Sequence, residues 1–128
     1  MKVTKFEDLE IWKLARELCK YVYNVTSKEP FCQDYRFRDQ IKAAAGSSMD
    51  NIAEGFERGG NKEFVQFLYI SKSSCAEVRS QSYRAFDQTY ITEEQLNELL
   101  SKTDILSRKT SNLIQHLRNT SYKGPKYE

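Results

Sequence analysis

Apolar residues recur along this chain with a helical period. From about Phe6 to Thr26, the residues Ile11, Leu14, Leu18, Tyr21 and Val25 follow one another at spacings of three and four. Trp12, Ala15, Cys19 and Val22 form a second apolar stripe beside the first, and Glu10, Lys13, Glu17, Lys20 and Asn24 form a polar one. The pattern predicts an amphipathic helix over residues 6–26 whose apolar face is wider than one helix contact needs. Pro30 withholds an N–H and biases Glu29 away from α conformation, so it ends this helix in the linker 27–33. A second helix starts between Asp34 and Arg38, at about residue 35, and runs to about Arg58, burying Phe37, Ile41, Ala45, Ser48, Ile52 and Phe56. Its middle, Ala43 to Ser48, is made only of small residues, which let another backbone approach closely. Gly46 and Gly55 each cost this helix roughly 1 kcal/mol relative to alanine, a cost that packing or function has to offset.

Gly59-Gly60 suits a left-handed helix stop, after which Asn61 is placed to cap a third helix over residues 61–88, with Glu63 favourable in its first turn. Phe64, Phe67, Leu68, Ser71, Ser74, Cys75, Val78 and Phe86 mark the inner side of that helix. Thr92 to Gln95 fits a capping box and opens a fourth helix over residues 92–119. There Leu96, Leu99, Thr103, Leu106, Thr110, Leu113 and Leu117 repeat without a slip. Residues 120–128 read as a frayed polar tail. Short linkers make neighbouring helices antiparallel. The expected fold is therefore all-α: a single-domain (1–128), up-down-up-down four-helix bundle, with the left-handed supercoil that a 3.5-residue period implies.

Composition agrees with that pattern. The 128 residues hold only 5 glycines and 2 prolines, fewer than a turn-rich sandwich or barrel would want. The odd count of 3 cysteines contains no C-x-x-C pair, which excludes a zinc ribbon or a thioredoxin-type motif and fits a reduced, cytoplasmic setting. The N-terminus lacks the apolar core of a signal peptide, and no run approaches the length of a membrane span. Enzymatic chemistry finds no footing. His116 is the single histidine, and its place near a helix end suits the helix dipole rather than catalysis. No Glu-x-x-His metal pair and no phosphate-binding glycine loop occur, so no catalytic, metal or cofactor residue is assigned.

Net charge is +2, and the basic excess sits on the third helix and the two termini. Lys62, Lys72, Arg79 and Arg84 on the third helix, with Lys42 and Arg58 on the second, form either a solvated salt-bridged face or a phosphate-contacting stripe that oligomerisation would repeat. Glu54 and Glu77 lie on the small-residue seams. They read either as exposed helical carboxylates or as members of a polar network with Asn51, Arg79 or a serine that fixes register or a subunit contact.

The run Asn51-Ile52-Ala53-Glu54-Gly55-Phe56-Glu57-Arg58, preceded by Gln40-Ile41 and the small-residue stretch, resembles the four-helix-bundle family of 23S rRNA intervening sequence proteins. So do the opening Phe6-Glu7-Asp8-Leu9 with Ile11-Trp12 and Ala15, the pairs Glu63-Phe64 and Phe67-Leu68, and Ser74 with Glu77. The chain departs from the family pattern at Ala43, where an arginine is usual, and at Met49, where a proline is usual. The first change weakens the expectation of RNA contact by the second helix; the second should make that helix more continuous. The resemblance implies antiparallel bundles assembled as barrel-like pentamers, with no family-wide catalytic activity. It also implies a related branch, the accessory variability proteins of diversity-generating retroelements, that binds nucleic acid through a basic pentamer. The wide face of the first helix independently predicts self-association. Two functions stay open: a non-enzymatic, oligomeric accessory of RNA, DNA or a ribonucleoprotein, and a protein-interaction scaffold that touches no nucleic acid.

Overall fold

The computed structural model describes residues 3–120, which hold four α-helices and no strand. They are α1 (Glu10–Thr26), α2 (Tyr35–Glu57), α3 (Asn61–Asp87) and α4 (Glu93–Arg118), with short 3-10 turns at Phe6–Asp8 and Phe31–Gln33. Each helix packs on its neighbours in sequence, and α1 also packs on α4, so the four close into a ring. Cross-helix contacts fix the directions. Between α2 and α3, Ser47 and Ser74 hydroxyls meet at 2.8 Å, while the Ser71 hydroxyl donates to the Ser48 carbonyl at 2.6 Å. Between α3 and α4, the Cys75 thiol donates to Thr103 O at 3.3 Å and Arg79 Nη1 to Leu100 O at 2.9 Å. In each seam the number on one helix rises as its partner's falls, so both pairs run antiparallel. The same holds where Lys109 pairs with Glu10 at 3.3 Å and Lys102 lies over the Tyr21 ring.

The core follows the expected lines on α2, where Phe37, Ile41, Ala45, Ser48, Ile52 and Phe56 are all buried. α2 is continuous through Met49, as the missing proline predicts. The capping box on α4 is formed in full, with Gln95 N–H donating to Thr92 Oγ1 at 3.1 Å and Thr92 N–H to Gln95 Oε1 at 2.9 Å. Gly59 takes the left-handed conformation (φ 86°) at the stop after α2.

Several local expectations are corrected. α1 begins at Glu10, not Phe6, because extended backbone at Leu9 separates it from the 3-10 turn, and Phe6 folds back edge-on to Trp12 at 5.2 Å. α1 ends at Thr26 as expected, but the stop comes before Pro30 is reached. Asn61 does not cap α3; Gly60 holds that position, and the buried Asn61 side chain donates from Nδ2 to Leu117 O at 3.3 Å, tying the start of α3 to the end of α4. Phe86 is exposed, and the buried line of α4 slips by one residue near its end, with Ile114 inside and Leu113 only half-buried. The wide face of α1 is not left over. Its centre is Ile11, Ala15, Leu18, Val22 and Val25, and its flanks Trp12, Leu14, Cys19 and Tyr21 pack against the core. A ring gives α1 two neighbours, and the two neighbours need two stripes. The tail expected over 120–128 lies, apart from Thr120, outside the described residues.

Candidate nucleic-acid interface

The residues singled out in the sequence fall into three groups. Those of the Asn51–Arg58 run mostly make contacts within the bundle. Asn51 Nδ2 donates to Ser47 O at 2.8 Å and to Ser47 Oγ at 3.0 Å, extending the Ser47–Ser74 link. Ile52 is fully buried, and Ala53 is half-buried. Gly55 lets α3 approach so closely that a Cβ there would stand 2.5 Å from Phe67 Cβ. Phe56 meets Phe64 edge-on at 5.8 Å, and the Arg58 guanidinium lies 5.0 Å from the centre of the Phe67 ring. A polar network thus exists at this seam, but it is half-buried and built from Asn51 and serines. Glu54 and Glu77 are exposed, and Glu77 Oε2 accepts from Gln81 Nε2 at 3.2 Å on its own helix.

The second group is the set of basic residues, which does not form one stripe. Lys42 sits over the Tyr23 ring at 4.5 Å on the α1–α2 side. Arg84 sits over the Phe37 ring at 4.4 Å near the start of α2. Arg58 and Lys62 flank the turn between α2 and α3, at the other end of the bundle. Arg79 is committed to α4, donating to Leu100 O and to Thr103 Oγ1 at 3.3 Å, and so acts as an interhelical tie. Lys72 alone of the set lines a basic hollow, together with Ile105, Arg108, Lys109, Ser111 and Asn112 of α4.

Those α4 residues are the ones that segment charges concealed. α4 is neutral overall but divided. Glu93, Glu94, Glu98 and Asp104 occupy its first half, while residues 105–118 contain Arg108, Lys109 and Arg118 and no acid. The signal was readable as an acid-free run of fourteen positions in the fourth helix. Helix dipoles favour this order, with acids at the N-terminus and cations at the C-terminus. The consequence is nevertheless a basic face where this half of α4 meets the first half of α3. Arg108 pairs with Asp104 at 3.0 Å and Lys109 with Glu10, but both pairs are exposed and worth little. Next to the hollow, and sharing Ser111 with it, lies a cleft of about 400 Å³ lined by Tyr69, Ile114, Gln115, Arg118 and Asn119. Arg118 Nη1 donates to Tyr69 Oη at 3.0 Å.

The third feature is a hollow on the α1–α2 side. It holds Tyr23, Lys42, Gly46, Asp39, Asp50 and Glu54, so carboxylates outnumber cations there and it suits phosphate poorly. A Cβ added to Gly46 would meet nothing within 4 Å. No group of three or more potential metal ligands occurs among the described residues. Burial pushes the Cys75 thiol up to about 11, against a smaller opposing pull from Arg79 and Lys72; burial and then Asp50 push Cys19 to about 11 as well. Neither thiol is activated as a nucleophile. The Tyr90 hydroxyl is also raised, first by its hydrogen bond to Asp34. No helix among the described residues is long and apolar enough to cross a membrane.

Comparison with known proteins agrees with the fold. The crystal structure of a protein of unknown function from the S23 ribosomal protein family of Bacteroides thetaiotaomicron superposes with a TM-score of 0.75 at 18% identity. The match covers 82% of this chain and 98% of that one. Among curated proteins none matches. The sequence profile of the 23S rRNA-intervening sequence protein family spans residues 7–112, from the turn before α1 to well inside α4. The chain belongs to the 23S rRNA-intervening sequence protein family.

Proposed function

We propose that this protein is a non-enzymatic, homo-oligomeric bundle that serves as a nucleic-acid or ribonucleoprotein accessory, contacting phosphates through the α3–α4 face. The observation that carries this reading is the acid-free second half of α4, whose Arg108 and Lys109 share a hollow with Lys72 of α3. Self-association, with the pentamer that the family resemblance suggests, would repeat this modest basic face around the particle. A net charge of +2 would then act per subunit instead of per assembly. The family's name, which refers to intervening sequences of 23S rRNA, agrees with RNA as the first ligand to test.

Fluorescence anisotropy with a labelled RNA should show binding that weakens steeply with salt. Lys72→Ala and Arg108→Ala should each reduce the slope of log affinity against log salt by about 0.7–0.9, whereas Lys42→Ala on the opposite side should leave it unchanged. Absence of binding at low salt by the assembled protein overturns the reading. A second reading, a protein-interaction scaffold with no nucleic-acid contact, is favoured by one observation: the open space over Gly46 on the small-residue face of α2. Recovery of a protein partner that depends on Gly46 and survives nuclease treatment would support it.

A further inference from the structure

The two adjoining hollows on the α3–α4 face differ in chemistry, and the difference points to a particular form of nucleic acid. The hollow around Lys72, Arg108 and Lys109 is cationic. The cleft next to it holds a single cation, Arg118, whose guanidinium is engaged with the Tyr69 hydroxyl, and is the poorer phosphate site of the two. It lies at the C-terminal end of α4, where the Gln115 and His116 carbonyls accept from the Asn119 N–H and Leu117 O accepts from Asn61. That end of a helix carries partial negative charge and disfavours an anion. What the cleft offers instead is an aromatic ring, two side-chain amides and a hydroxyl. Tyr69 is 44% exposed, and its hydroxyl is held by Arg118. Gln115 and Asn119 each present a donor and an acceptor, and Ser111 joins the cleft to the cationic hollow.

We infer that the cleft binds an unpaired nucleobase, stacked on Tyr69 and hydrogen-bonded at its edge by Gln115 or Asn119, while the adjoining backbone phosphate lies against Lys72 and Arg108. The ligand is single-stranded nucleic acid. Arg108 and Gln115 are seven residues apart, about two turns and so on one face of α4, which separates the two subsites by about 10 Å, comparable to the reach from a phosphate to the far edge of its base. Stacking needs a base with an open face, which a duplex hides; single strands are recognised by such platforms beside a basic track. This inference rests on the nucleic-acid reading above and adds the strandedness and the base subsite to it.

The test uses the full chain with 12-nucleotide single-stranded RNA, single-stranded DNA of the same sequence, and duplex RNA of the same length. The single strands should bind more tightly than the duplex. Tyr69→Ala should weaken single-strand binding roughly five- to a hundredfold and leave duplex binding unchanged. Tyr69→Phe, which keeps the ring, should stay within about twofold of the wild type. A strand carrying 2-aminopurine should lose fluorescence on binding the wild type, through stacking, and this readout needs no variant to fold. If Lys72→Ala weakens binding but Tyr69→Ala does not, if the duplex binds better, or if 2-aminopurine emission is unchanged on binding, the base subsite is refuted while the phosphate face stands. If the wild type binds none of the three, both fall.

Discussion

Gly46 and Gly55 stand nine residues apart in one helix and carry the same intrinsic cost, yet their surroundings give them opposite roles. At Gly55 a methyl group would collide with Phe67 and crowd Phe64. Both contacts lie where α2 and α3 cross, so the backbone would have to shift. Gly55→Ala should therefore lower stability by about 1–3 kcal/mol, as overpacking does. At Gly46 a methyl group meets nothing within this chain. Gly46→Ala should raise stability by up to about 1 kcal/mol through helix propensity alone. Thermal or urea unfolding of the two variants, measured below any concentration of self-association, checks the contrast in sign. The sequence marked both glycines as needing an offset but could not say which was crowded, because crowding depends on what α3 places opposite. Glu54 and Glu77 teach the same lesson. Their place on small-residue seams was legible, but which side of the helix faced water was settled by Asn51, Ser47 and Ser74 taking the seam's polar contacts.

At the scale of elements, local chemistry and periodicity were sufficient where they acted within one helix. The Thr92–Gln95 box needs only residues three apart, and it forms with both hydrogen bonds. Thr92→Ala should cost about 1 kcal/mol, measurable as a lowered urea midpoint with an unchanged slope, and Thr92→Ser should restore most of it. Expectations failed where a distant element intervened. Asn61 has the chemistry of an N-cap, but the end of α4 claims its side chain. Leu113 and Ile114 are equally apolar, so only the exact rotation of α4 against its neighbours decides which is inside. The basic face was missed for a related reason. Net charge by helix averages α4 to zero, whereas the bundle exposes its two halves at opposite ends.

For the whole molecule, the four-helix architecture was legible almost completely, since stripe width, linker length and caps all point to it. The wide face of α1 does not by itself require self-association, because a ring of helices uses both α1 stripes internally. Among the described residues, the large apolar side chains left exposed are on α3 and α4, at Tyr69, Ile70, Tyr83, Phe86 and Ile105, with Tyr23 and Tyr35 elsewhere. Gly46 adds a small-residue site on α2. Light scattering at micromolar concentration should give a mass several times the 15.0 kDa of one chain. Gly46→Leu should reduce that mass if the α2 face is the one that packs, while leaving helix content unchanged. A monomeric wild type would remove self-association from the proposed function.

The end of the bundle opposite the basic cleft has a further consequence. There Phe31 stacks on Phe37 at 5.3 Å and on Tyr90 at 5.0 Å, and one Asp34 carboxylate both accepts the Phe37 N–H and receives the Tyr90 hydroxyl at 2.7 Å. The loop between α1 and α2 is thereby fastened to the loop between α3 and α4. At the other end the chain itself joins α2 to α3. The seam between these two fastenings is lined with small residues and is keyed at few points, by the Ser47–Ser74 and Ser71–Ser48 hydrogen bonds and by Phe67 seated on Gly55. Those few keys are backed at both ends of the bundle: a covalent hinge holds one, and an aromatic latch around a single carboxylate holds the other.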